Sequence, residues 1–256
     1  MNHRQRLARL LFVGLTAWCG LVRAAEETPV TRGETFLAGL FDAPLGLLPE
    51  YRGGKTYWLF HDNYLAAKVL DAPRPDLAAR IRSSLVRHGF TNSGKIEILF
   101  GEAPQPWPFR HYQLTNVLVV DGKTIRTEIV TAKPLTDWEG YADLLLFASI
   151  AQNPDQKAEA RRNFDRADAL WDGRGFADRV TQKNRLYATY KLALYLIAAN
   201  KLKIQAPHAA AVRSRLLALQ NEEGGWITDY DAALQPVGLA NVETTCLAVL
   251  ALREGK

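Results

Sequence analysis

The sequence predicts a mainly helical protein: an array of helical hairpins wound into an α/α toroid-like ring that need not be complete, with a small antiparallel β-hairpin inserted. Three observations lead there. Four segments are nearly free of charge over three or four turns, three others are amphipathic and heavily charged, and glycine-rich turns bearing an aromatic residue lie between the two kinds. A helix that is apolar on every side must be buried on every side, whereas an amphipathic one shows a face to water. An inner ring of apolar helices wrapped by an outer ring of charged ones satisfies both.

The apolar helices are expected over 57–70, 141–151, 186–199 and 242–252. The charged ones are expected over 74–88 (Arg80, Arg82, Arg87), 155–170 (Lys157, Arg161, Arg162, Arg166) and 208–220 (Arg213, Arg215). Between them lie His88-Gly89-Phe90-Thr91, the 172–178 turn with Gly173, Gly175 and Phe176, and the 223–229 turn with Gly224, Gly225 and Trp226; a further turn, with Gly53, Gly54 and Trp58, precedes the first apolar helix. Glycine there ends a helix through a left-handed residue, and the aromatic plugs the end of the hairpin. Asp62, Asp143, Tyr187 and Glu243 serve as landmarks early in the apolar helices and recur at intervals of 81, 44 and 56 residues. Helical-hairpin arrays repeat at roughly 35 to 50 residues, and the long first interval contains the insertion.

That insertion, about 95–131, reads as strands. Lys95 to Phe100 forms one, a loop with Pro104, Pro106, Trp107 and Pro108 follows, and 112–120 and 123–130 flank Asp121-Gly122, a two-residue hairpin signal. Its edge from Trp107 to Tyr112 either lids a cavity or forms a satellite apolar cluster under a loop.

Residues 1–24 read as an export signal: Arg4, Arg6 and Arg9 precede an apolar run over 10–22, and Val22-Arg23-Ala24 suits cleavage after Ala24. The run is broken by Gly14 and Gly20 and falls short of the roughly 20 residues that span a membrane, so no stable anchor is expected after cleavage. The expectation is a periplasmic or secreted protein with one domain over 25–256. The whole chain has 256 residues, 48% hydrophobic and 23% charged, which excludes a disordered tail, a collagen-like rod and a disulfide-stapled miniprotein. Its formal charge of +5 includes four arginines of the leader, so the remainder is near +1 and nucleic acid is not an expected partner. Cys19 leaves with the leader, and Cys246, within an apolar helix, is expected to be a buried, inert thiol.

The last repeat carries a resemblance. Leu216 to Gln220, Gly224-Gly225-Trp226, Asn241 to Thr245 and Leu247 to Leu252 resemble a repeat of the terpenoid cyclase and protein prenyltransferase toroid superfamily, with Gln220, Gly224 and Trp226 at the spacing of its glutamine-tryptophan motif. The resemblance covers roughly 213–252, with fainter echoes at 164–199 and 50–70, and implies the toroid fold. The activities do not follow with it. Asp229-Tyr230-Asp231 is only part of the acidic cluster with which cyclases protonate a polyene, the Cys-Gly-Glu-Gln stretch of thioester-bearing relatives is absent, and Cys246 is followed by no histidine that would complete a prenyltransferase-type zinc site. No metal or cofactor is expected.

Polar residues gather at the starts of the apolar helices. Asp62, Asp143 and Glu243 are the candidate catalytic acids, and Asn63, Tyr64, Trp138, Tyr141, Tyr187 and Asn241 the candidate ligand-binding residues. With parallel inner helices these groups converge at one mouth, and carboxylates interleaved with Tyr, Trp and Asn suit a carbohydrate. Asp62, read as lying at least one turn inside its helix, is costly to bury unless paired or used. Each acid has a structural reading beside the functional one: Asp62 as a cap or Arg partner, Asp143 as a partner of Arg185 or another cation, Glu243 as a helix cap. His61 points about 100° away from Asp62 on a helix, so no dyad is expected. The functional expectation is a glycan-directed hydrolase or lyase. The alternatives are a non-catalytic glycan- or peptide-binding or scaffolding module and a diverged terpenoid cyclase-like protein. The oligomeric state stays open.

Overall fold

The computed structural model describes residues 27–55, 57–89, 95–102 and 109–254. The expected leader, Phe90 and the loop with Pro104, Pro106, Trp107 and Pro108 lie outside the described residues. About half of the chain is helical: α1 (Pro29–Gly39), α2 (Phe60–Leu70), α3 (Pro75–Arg87), α4 (Ala142–Gln152), α5 (Lys157–Asp168), α6 (Arg179–Asn184), α7 (Thr189–Leu202), α8 (Ala209–Ala218) and α9 (Val242–Glu254). The strands are β1 (Tyr57–Leu59), β2 (Arg110–Val120), β3 (Lys123–Pro134), β4 (Tyr187–Ala188), β5 (Ile227–Tyr230) and β6 (Pro236–Ala240). They form two small sheets, ordered β1-β3-β2 and β4-β5-β6.

The division into two kinds of helix follows the composition. In α4 every residue from Ala142 to Ile150 is buried, and in α7 Thr189 and every residue from Lys191 to Ala199. By contrast α3 buries Leu77, Ala78, Ile81, Ser84 and Leu85, one stripe at helical spacing, and α5 buries Ala160, Asn163, Phe164 and Ala167. The apolar helices are neighbours in the order α4, α7, α9, α2, and each carries an amphipathic partner: α5 on α4, α8 on α7, α3 on α2 and α1 on α9. Thus the first helix of the described chain completes the hairpin of the last. Arg253 ties this junction, donating to Glu34 Oε1 and to the Val69 carbonyl, both at 2.7 Å. On the remaining side β3 lies against α2, and a 3-10 turn, Ile96–Phe100, lies against α4.

Three local expectations are corrected. Lys95 to Phe100 is the 3-10 turn rather than a strand, because Ile96, Glu97, Ile98 and Leu99 are all buried and a strand alternates its faces. The first apolar helix starts at Phe60: Tyr57–Leu59 instead adds a parallel strand to β3. Likewise α7 starts at Thr189, after Tyr187–Ala188 pairs with β5. Asp62 therefore sits in the first turn of its helix and not a turn inside it. The hairpin forms as expected, with Asp121 at φ 49° and Gly122 at φ 74° supplying the two left-handed residues of a tight turn between β2 and β3.

The two Gly-aromatic turns after α5 and α8 close in the same way. Trp171 bridges Phe176 in one and Gln220 bridges Trp226 in the other. In the second, Gln220 Nε2 donates to the carbonyls of Pro29 and Gly224, both at 2.8 Å, and the fully buried Trp226 donates its indole N–H to the Leu216 carbonyl at 2.8 Å. Gly224, at φ 93°, brings its backbone against the Arg32 carbonyl, where a Cβ would collide.

In the first turn, Tyr187 stacks on Tyr230 with ring centroids 5.3 Å apart and donates its hydroxyl to Asp172 Oδ2 at 2.5 Å. Burial would raise the Asp172 carboxyl, but the Tyr187 hydroxyl and the N–H groups of Arg174 and Gly175 outweigh it and hold the group below its ordinary value. A carboxyl lowered by folding contributes stability above its unfolded pKa of about 3.9, and that contribution disappears as pH falls through the folded value. Tyr187→Phe should therefore lower the unfolding free energy by about 1 kcal/mol near neutrality, discounted for the exposure of Asp172. The deficit should shrink toward about pH 2 as Asp172 becomes protonated in both proteins. Urea unfolding across that range measures it, and a deficit constant with pH would refute the assignment.

Candidate functional site

The starts of α2, α4 and α7 share a construction: Leu59, Tyr141 and Ala188 are extended, and none supplies a side-chain cap. Uncapped first-turn N–H groups and the helix dipole favour negative charge nearby. Asp62 and Asp143 occupy the first turns of α2 and α4, and Glu243 that of α9. At α9 the cap is Asn241, whose Oδ1 accepts from Thr244 N at 2.9 Å. The capping role that Glu243 was expected to share therefore falls to its neighbour.

His61, Asp62 and Glu243 come together, with one donor atom from each lying within 4.8 Å of the others. His61 Nε2 is 3.2 Å from Asp62 Oδ1. This corrects the expectation that adjacent helical positions keep them apart. The whole first turn of α2 is buried, so both side chains bend toward the polar space at the start of α9. Asp62 is 1% exposed, while Glu243 is half-buried. Glu50 joins from the loop before β1, positioned by its carbonyl accepting from Val242 N at 2.9 Å and by the Tyr51–Asn241 bridge. Burial raises the Glu50 carboxyl, the nearby His61 opposes that, and Glu243 adds to it. Cys246, buried one turn along α9, has its thiol pushed well up by burial and then by the charges of Asp62 and Glu243. It is the inert thiol expected.

Asp143 joins through Tyr190. Burial pushes the Tyr190 hydroxyl well above its ordinary value, followed by the charges of Asp143, Glu243 and Asp178 and a hydrogen bond with Asp143. Tyr190 thus feels both the Asp143 and Glu243 carboxylates. Beside it on α7, Lys191 is buried and ion-paired to Asp178 Oδ2, their side chains 2% and 0% exposed. Asp178 also accepts from Ala142 N at 3.0 Å and from Val180 N and Thr181 N, so one carboxylate locks the starts of α4 and α6 to α7. Asp229 completes this side; burial raises its carboxyl against a hydrogen bond from Thr228 and the Lys191 charge.

The candidate binding residues divide. Asn63 is committed to the backbone: its Oδ1 accepts from Leu48 N at 2.7 Å, and its Nδ2 donates to the Leu48 and Leu59 carbonyls at 3.0 and 2.9 Å. Tyr64 donates its hydroxyl to Glu102 and packs edge-on against Phe100, away from the acids. Tyr187 is held by Asp172, and Asn241 is the α9 cap. Trp138 packs edge-on against Phe109 with centroids 5.5 Å apart, and it and Tyr141 are half-buried at the start of α4.

Glu50, Asp178 and Lys191 were not anticipated. Lys191 carried a signal, being the one charged residue in the 186–199 apolar run; a buried lysine needs an acid. Breaking this pair strands a buried carboxylate, so Lys191→Met should lower the unfolding free energy by about 3 kcal/mol or more. Urea denaturation measures it; a loss near zero would refute the locking role.

Comparisons with protein-family models, with curated proteins and with solved structures give no match.

Proposed function

We propose that the chain is an exported α/α-toroid domain acting as a glycan-directed enzyme of the hydrolase or lyase class. The observation that carries the reading is the meeting of Asp62, Glu243 and His61 within 4.8 Å at the starts of two neighbouring buried helices. Tyr190, hydrogen-bonded to Asp143, also feels the Glu243 charge. Glycosidic cleavage needs paired carboxyl groups, about 5 to 5.5 Å apart where one is a nucleophile and wider where a water must fit between them. The Asp62 and Glu243 oxygens lie within 4.8 Å of each other, nearer the shorter spacing than the wider one. Elimination chemistry needs a proton acceptor and a donor, for which the same carboxylates and Tyr190 are available.

The toroid reading is supported by the neighbour order α4, α7, α9, α2, by the charged helix on each of these, and by the repeated closure of the two Gly-aromatic turns. The bonds made by Gln220 and Trp226 accord with the resemblance of the last repeat to the cyclase and prenyltransferase superfamily. The clustered carboxylates and imidazole suit a polyol better than the polyene of a cyclase. Export rests on the leader-like residues 1–24. No helix of the described residues is long and apolar enough to cross a membrane.

A non-catalytic module binding a glycan or peptide is the second reading. It is favoured by the commitment of Asn63, Tyr64 and Tyr187 to internal bonds. Assay of the purified protein on a polysaccharide panel separates the two. Turnover is expected with at least one polymer, reduced about 10²-fold or more in Glu243→Gln and Asp62→Asn, as befits loss of an acid–base group. Both variants should keep the parent's circular dichroism. Binding without turnover would establish the second reading, and turnover unchanged in both variants would remove these acids from the chemistry.

A further inference from the structure

We infer that His61, Asp62 and Glu243 form a binding site for one divalent cation of the zinc or manganese type. The donor set is one imidazole nitrogen and two carboxylate oxygens, which suits a borderline or hard cation rather than a soft one. Its geometry is near that of a coordination sphere. Metal–ligand bonds of about 2.0 to 2.2 Å place neighbouring donors roughly 3 to 4 Å apart, and the three donors here lie within 4.8 Å of one another, with His61 Nε2 and Asp62 Oδ1 already at 3.2 Å. Small side-chain rotations close the difference.

The donors are also held as ligands need to be. His61 and Asp62 are consecutive in the first turn of α2 and nine-tenths or more buried, which fixes two positions on one rigid element. Glu243 comes from α9, which packs directly on α2, and its half-exposed side leaves a direction from which a cation and a fourth ligand can enter. Glu50, held beside the start of α9 by its carbonyl accepting from Val242 N, is a neighbour of the three donors and not one of them.

The donor set sets two carboxylates against one imidazole, a charge balance that suits a divalent cation. Cys246, fully buried one turn along α9, is not among the three donors.

The inference stands apart from the enzyme reading, and its test is made on binding. Untagged full-length protein, stripped with a chelator and dialysed, is titrated calorimetrically with Zn²⁺ and with Mn²⁺, and bound metal is counted by elemental analysis. One equivalent of at least one cation is expected, together with a higher melting temperature in its presence. His61→Ala and Glu243→Gln should each weaken binding about 10-fold or more, while Asp155→Asn, at an exposed position away from the cluster, should leave it unchanged. If His61→Ala fails to fold, the half-buried Glu243→Gln carries the test. No stoichiometric binding of either cation, or binding equal in parent and Glu243→Gln, overturns the site. A protein that binds the cation but turns over no polysaccharide keeps this site and loses the enzyme reading; one that turns over a polysaccharide but binds neither cation on titration does the reverse.

Discussion

A helix with no face toward water can carry polar side chains cheaply only at its ends. That constraint governs the rest of the molecule. Along α4 and α7 the buried run is unbroken for about two and a half turns; α4 carries its one acid, Asp143, in the first turn, where the helix dipole welcomes negative charge, and α7 carries none. Acidic residues near the starts of α2, α4 and α9 thus obey one rule three times over. The clustering of His61, Asp62 and Glu243 follows once α9 lies on α2. Where the buried first-turn charge is a cation, as with Lys191 in α7, it is matched directly, and Asp178 serves as ion partner and cap at once.

Much of this was readable in the residues. The contrast between apolar and charged helices, the hairpin at Asp121-Gly122, the buried Cys246 and the two Gly-aromatic turns all depend on local composition, and local composition settles them. What escaped was set by distant partners. Tyr57–Leu59 and Tyr187–Ala188 look helical because they continue apolar runs, but β3 and β5 offer open edges and draw them into sheets. That displacement moves Asp62 into a first turn and changes what stands beside it. Residues 29–39 drew no helical expectation, since α1 gains its burial from α9, far along the chain.

The candidate site divides along the same line. Asp62, Asp143 and Glu243 could be named because an acid in an apolar run stands out. Glu50 could not, lying in a loop between Pro49 and Tyr51 with no local pattern to mark it, until the Tyr51–Asn241 bridge carries it to α9. Conversely, Asn63 and Tyr187 looked like ligand-facing groups and prove to be ties, one pinning the Leu48 loop and the other a turn. Type and position in sequence marked these side chains as polar and near the right helix ends; the direction of each depends on partners the local pattern does not contain.

The arrangement in which α1 partners α9, with Arg253 bridging Glu34 and the Val69 carbonyl, bears on how the chain acquires its shape. A vectorially made polypeptide exposes α1 without its mate until α9 has been synthesised, about two hundred residues later. Contacts of such separation slow folding and lengthen the life of partly assembled species. The clasp between α1 and α9 is accordingly a contact the growing polypeptide can make only after the helices between them are in place.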